Sequence, residues 1–148
     1  MFMKLLVGTE ITKVIAGGSN GSIIVLDLKN NSGDMFVLFI YCAWRISHAN
    51  QVVGTSASDI NNEKILSGIK CITNEHITDI DINKFNDFSL HISNDYQLDV
   101  FCDNTKKDVE YPLDNWTLCN VRENTCSTFN SEFKFIYESY NNNQSTKS

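Results

Sequence analysis

Ile24-Val25-Leu26-Asp27-Leu28-Lys29-Asn30-Asn31-Ser32-Gly33-Asp34-Met35-Phe36-Val37-Leu38-Phe39-Ile40-Tyr41-Cys42 has the pattern of a β-hairpin. Ile24, Leu26 and Leu28 fall on one face of an extended chain. Phe36, Leu38, Ile40 and Cys42 do the same in the next run, because side chains alternate with period two along a strand. Asn30–Asp34 between them collects residues that favour a turn. The intervening positions of the second run, Val37, Phe39, Tyr41 and Ala43, are also apolar. That strand is therefore expected to be covered on both faces.

The same order of features recurs downstream. Leu6-Val7-Gly8 and Ile11-Thr12-Lys13-Val14 precede the first hairpin, as Leu66-Ser67-Gly68 and Ile77-Thr78-Asp79-Ile80 precede the second. Phe88–Ile92 corresponds to Ile24–Leu28, and Ser93-Asn94-Asp95 to the first turn. Leu98–Cys102 corresponds to Leu38–Cys42, and a Trp follows in both copies, Trp44 and Trp116. Five features in one order point to a duplicated β unit, spanning about residues 5–45 and 66–118. In the second copy, the outward positions Gln97, Asp99, Phe101 and Asp103 give a wet, acidic face.

Gly17-Gly18-Ser19-Asn20-Gly21 reads as a loop; it lacks the lysine of a phosphate cradle and leads into a strand. A helix is expected near 59–67, with Ser58 as N-cap, Gly68 as its end, and Ile60, Ile65, Leu66 and Ile69 as its buried stripe. Phe133–Tyr137 reads as the last strand. The expected fold is mainly β (α+β): two pseudo-repeated antiparallel units forming a sheet, a sandwich or a half-open barrel. One domain spans 1–138, and the polar residues 139–148 are expected to be a disordered tail.

The chain has 148 residues, 42% of them hydrophobic, and a net charge of −6. Residues 1–75 hold six acids and six basic residues; residues 76–148 hold twelve acids and six basic residues, so the whole excess lies in the second half. Direct nucleic-acid binding is disfavoured, because it needs Lys and Arg to displace phosphate counterions. A basic partner is favoured instead. The five cysteines are odd in number and lack CxxC spacing; with no visible signal peptide and no apolar run of membrane-spanning length, a reduced, cytoplasmic protein is expected.

Catalytic patterns are absent from the sequence. His48, His76 and His91 lie in no nucleophile motif, no His and Cys spacing suits zinc, and the acids from Asp79 to Asp87 lack an EF-hand order. No enzyme activity, cofactor or metal is expected. Asp79, Asp81, Asp99, Phe101 and Asp103 are the candidate partner contacts, with His91 on the same face: carboxylates around an aromatic anchor suit recognition of a basic protein. Trp44 reads as a core residue and Arg45 as a structural one, stacked on an aromatic ring or paired with a carboxylate. Trp116 follows Asp108, Glu110 and Asp114 and is expected at the rim of the acidic surface.

With Leu6-Val7-Gly8, the Ile-Thr-x-Val element and a hairpin ending in Cys42-Ala43-Trp44-Arg45, residues 5–118 resemble small uncharacterised bacterial proteins that carry a duplicated β unit and a Trp-Arg motif. In size and acidity the chain also resembles immunity proteins of bacterial toxin systems, including contact-dependent growth inhibition. That second resemblance implies tight binding to a cognate toxin, often a basic nuclease, by occlusion of its active site. The other expectation is a structural or self-assembling module, a homodimer formed through Val37, Phe39 and Tyr41.

Overall fold

A computed structural model describes residues 2–17, 19, 21–58, 62–105 and 114–140. After a 3-10 turn at Phe2–Leu6 come β1 (Glu10–Ile15), β2 (Ile24–Lys29), β3 (Met35–Ile40), β4 (Ala43–His48) and β5 (Gln51–Thr55). Helix α1 (Glu63–Lys70) separates these from β6 (Ile77–Ile82), β7 (Phe88–Ile92), β8 (Tyr96–Phe101), β9 (Asp114–Asn120), β10 (Thr125–Asn130) and β11 (Phe135–Ser139).

The two units are built alike. Each lays down a three-strand antiparallel meander, β1-β2-β3 or β6-β7-β8, and then sends its next strands to the other unit's sheet. The first sheet runs β1-β2-β3-β9-β10-β11 and the second β5-β4-β8-β7-β6. Ile24, Leu26, Leu28, Leu38, Ile40 and Trp116 from the first sheet and Trp44, Ile46, Leu90, Leu98 and Val100 from the second are buried in one core. The sheets are stitched along one side, where Gly8 N–H donates to Ile77 O (2.7 Å), Ile77 N–H to Thr9 O (2.9 Å) and Ile11 N–H to Glu75 O (2.8 Å). The result is a sandwich closed at the β1/β6 seam and open at β11 and β5, not a closed barrel.

Both expected hairpins form, β2–β3 and β7–β8. Among the described residues, the first turn is one of three built alike. The side chains of Asn30, Asn83 and Asn130 each accept N–H groups two and four residues on, and the fourth residue of each turn (Gly33, Asn86, Phe133) has φ of 86°, 64° and 58°. An Asn side chain that mimics a backbone acceptor, followed by a left-handed residue, reverses the chain tightly.

Several expectations are corrected. The helix starts later than expected: Asn62, not Ser58, caps it by accepting the Lys64 N–H, and Gly68 lies inside rather than at its end. Gly68 is there because the helix runs hard against β5; a Cβ on it would lie 2.1 Å from Val53 Cγ1. Ile60 lies outside the described residues. β3 is not covered on both faces, since Val37, Phe39 and Tyr41 are only half-buried on the outside of their sheet. His48 ends a strand and stacks on Tyr96 at 4.2 Å. Trp116 is core, not rim, and packs edge-on against Phe88 at 5.5 Å. The last strand is shifted to Phe135–Ser139, which takes Ser139 from the expected tail; residues 141–148 lie outside the described residues. Cysteines are not all thiols: Cys119 and Cys126, opposite each other on β9 and β10, form a disulfide, while Cys42, Cys71 and Cys102 stay reduced. Cys42 and Cys102, equivalent in the two units, are in thiol contact; that hydrogen bond and burial push the Cys102 thiol far up.

Candidate protein-binding face

The outer face of β6-β7-β8-β4 carries the candidate contacts. Antiparallel registry sets Asp81 beside Ser89, Ser89 beside Asp99, and Asp99 beside Arg45, in one row across four strands. The next row runs Asp79, His91, Gln97 and Ser47. A bulge between Ile77 and Asp79 restores alternation, so that Ile80 points into the core while Asp79 and Asp81 point out.

Asp99 is the exception among the five. Its side chain is 7% exposed, and its two oxygens take four donors. Arg45 Nη2 and Nε reach Oδ2 at 2.9 and 3.2 Å, while Ser89 Oγ and Gln97 Nε2 reach Oδ1 at 2.6 and 2.7 Å. Burial pushes its carboxyl pKa up, but the hydrogen bonds from Ser89, Gln97 and Arg45 outweigh burial and hold it below the ordinary value of 3.8. Asp99 is thus not an outward contact. It braces Arg45, whose guanidinium lies 5.3 Å from the centre of the Phe101 ring. A cation over an aromatic face is attracted by the ring quadrupole. Arg45 therefore does pair with a carboxylate, and the ring it stacks on is Phe101 rather than the neighbouring Trp44.

The other four candidates are accessible. Phe101 is 39% exposed, although a phenylalanine is usually buried. Asp81 is 74% exposed and bonds His91 Nε2 at 2.7 Å. Asp79 receives the Ile80 N–H at 2.9 Å and sits 3.7 Å from Lys4; the N–H first and Lys4 second lower its pKa. Asp103 lies just past β8 and accepts the Ala43 N–H at 2.9 Å, which fixes it where β4 begins. The acids are not crowded against one another, because His91, Lys4 and Arg45 are interleaved among them.

Asp81, Asp87, Ser89 and Phe101 line an open groove of about 260 Å³ at one end of this face. Asp87 accepts the Cys102 N–H at 2.7 Å and the Asn83 side-chain amide at 3.1 Å, so its carboxylate is held in place. Two carboxylates and an aromatic face in one groove suit a lysine or arginine side chain. Asp87 was not among the expected contacts, since in the sequence it reads only as the end of an acidic stretch without EF-hand order.

Among the described residues, no three His, Cys, Asp or Glu side chains are grouped to hold a metal, and no helix is long and apolar enough to cross a membrane. No protein-family model, curated protein or solved structure matches the chain significantly, so its functional reading rests on the geometry of this face.

Proposed function

We propose that the chain is a non-catalytic protein-binding domain that neutralises a basic partner, in the manner of an immunity protein against a nuclease toxin. The observation that carries this reading is the exposed Phe101, with Asp81 and Asp87 in the same groove and Arg45, held by Asp99, over the ring. An exposed aromatic ring rimmed by carboxylates offers an anchor and a complementary charge to a cationic surface. Asp79, Asp81, Phe101 and Asp103 are the contacts and Asp99 the support beneath them. Occupation of a toxin's phosphate-binding site by these acids would exclude nucleic acid by charge and by volume.

This reading goes with a cytoplasmic protein and no cofactor. A reducing compartment disfavours structural disulfides, so Cys119 and Cys126, joined in the structure, would there be a dithiol; alkylation of cells followed by mass measurement tests the compartment.

The test uses the polypeptide encoded beside this chain's gene as the probe. Co-expression is expected to relieve its toxicity, and the two purified proteins are expected to form a complex by calorimetry. Phe101→Ala with Asp81→Lys should weaken that complex at least about a hundredfold, since hot-spot truncations cost about 2 kcal/mol or more each. A complex of unchanged affinity, or no complex, overturns the reading.

A further inference from the structure

We propose that β11 is a self-association edge, on which a second copy of this chain pairs antiparallel about a twofold axis through Ile136. The first sheet has two edges. The outer side of β1 is taken up by the seam with residues 74–77. β11 ends the sheet at the other side, and among the described residues no strand pairs with its outer edge. The second sheet ends at β5, which carries a bulge opposite Ile46 and has α1 packed against it. Among the described residues, β11 has neither protection. Ile136 and Tyr137 are 44% and 68% exposed, and Phe133 and Tyr140 on either side are exposed as well. Natural edge strands are normally blunted by charge, proline, bulges or a cover, because a bare apolar edge recruits another strand.

The occupant is identified by charge. Within Lys134-Phe135-Ile136-Tyr137-Glu138 the two charges are opposite in sign and equidistant from Ile136. A twofold axis through Ile136 therefore sets Lys134 of each copy opposite Glu138 of the other, Phe135 opposite Tyr137, and Ile136 opposite itself. Both faces agree with this register. Lys134, Ile136 and Glu138 lie on the outer face, and Phe135 and Tyr137 on the inner one, where Phe135 meets Phe129 at 5.0 Å and Trp116 at 5.7 Å. The backbone agrees too. Asn130 N–H donates to Lys134 O and Tyr140 N–H to Asn124 O, so even-numbered residues of β11 bond β10. Odd-numbered residues then face the outer edge, and the twofold register pairs them with each other. Parallel pairing would set like charges side by side, and a slip by two residues would leave Lys134 opposite an uncharged residue, so one register is selected. In their own copy Lys134 lies 3.9 Å from Glu132 and Glu138 accepts the Tyr140 hydroxyl at 2.5 Å, both at the surface, so both side chains can turn to a second copy.

Sedimentation equilibrium across a dilution series of the full chain tests this. The expected result is a reversible dimer. Lys134→Glu should weaken it about tenfold, because each dimer then holds two facing carboxylate pairs. Glu138→Lys should weaken it similarly, and the double exchange Lys134→Glu with Glu138→Lys should restore it, which a folding defect would not do. Ile136→Cys in a Cys71→Ser background should cross-link as a dimer under mild oxidant, and Phe135→Cys should not. A monomer at every concentration overturns the proposal. So does a dimer that is indifferent to Lys134→Glu and not cross-linked through Ile136→Cys. Neither outcome bears on the Phe101 face, which lies on the other sheet.

Discussion

Trp44 and Trp116 hold equivalent places in the two β units and make the same bond. Each lies in the strand that has crossed to the opposite sheet, β4 or β9. Each donates its indole N–H back to the loop after its own unit's first strand, Trp44 to Ser22 O at 2.6 Å and Trp116 to Asn86 O at 3.2 Å. Both rings are almost fully buried. The pair pins the two crossings around which the sandwich is organised. Trp44→Phe and Trp116→Phe should each cost about 2 kcal/mol or more, the sum of a lost buried hydrogen bond and lost ring volume. Urea midpoints measure this. A loss below about 0.5 kcal/mol for either, the range of surface substitutions, would remove its pinning role.

Much of this arrangement is legible in the sequence, and the part that is not has a physical reason. Alternation along Ile24–Leu28 and Tyr96–Cys102 reveals strands because one face is buried and the other is not, while Phe36–Cys42, apolar at every position, reads as a strand but misleads about its outer face. Thr125–Asn130 and Asp114–Asn120 escape that test: their apolar residues are few and their outward residues are polar or half-buried. Which sheet a strand joins is set by the crossing after Tyr41 and Cys42, where two N–H groups bond Asn115 O at 2.9 and 3.2 Å. No local pattern encodes that partner. The candidate face follows the same logic. Period two places Asp79, Asp81 and Phe101 outward correctly. It places Asp99 outward as well, but cannot see that Arg45 arrives on the neighbouring strand and seals it.

Asp99 should govern acid stability. Its carboxyl pKa is depressed in the folded chain and returns to about 3.9 in the unfolded one. A depressed group lends stability that is complete above its unfolded pKa and is lost as pH falls through its folded pKa. Glu75, held down by Ser93 and Asn94, and Asp34, held down by Arg122 and Asn30, act in the same direction. The protein should therefore weaken as pH drops below about 4. Asp99→Asn should be less stable than the parent by about 1–3 kcal/mol at neutral pH, where Arg45 loses its counter-charge, and the gap should narrow towards about pH 3. Denaturant midpoints against pH measure it; parallel curves would mean that Asp99 does not supply the slope.

Ser131 is nearly fully buried in the turn between β10 and β11, and among the described residues its hydroxyl finds no hydrogen-bond partner. A buried unsatisfied hydroxyl costs about 1–3 kcal/mol in desolvation. Ser131→Ala removes that cost and leaves the backbone unchanged, so thermal melting should shift upward or stay level. A clear loss of stability would mean that the hydroxyl is in fact bonded in solution.

At Gly68 the helix leaves no room for a side chain against Val53 of β5. Gly54 lies beside it, where a Cβ would meet Ile65 Cγ2 at 3.1 Å, so the helix approaches two consecutive residues of β5. In an exposed helix, Gly→Ala stabilises by up to about 1 kcal/mol because alanine is the better helix former. Here the sign should reverse. The added methyl would sit 2.1 Å from Val53 Cγ1, a side chain stiffened by β-branching and fixed in a strand, so the helix itself must move. Gly68→Ala should cost about 1–3 kcal/mol, as overpacking does. Val53→Ala removes the obstructing methyl groups, and with it in place Gly68→Ala should become neutral or favourable. A double-mutant cycle read by denaturant unfolding gives the coupling, expected at about 1 kcal/mol or more in favour of the double variant. Additive effects would mean that α1 stands off β5 in solution, and Val53 would then gain solvent exposure in its place.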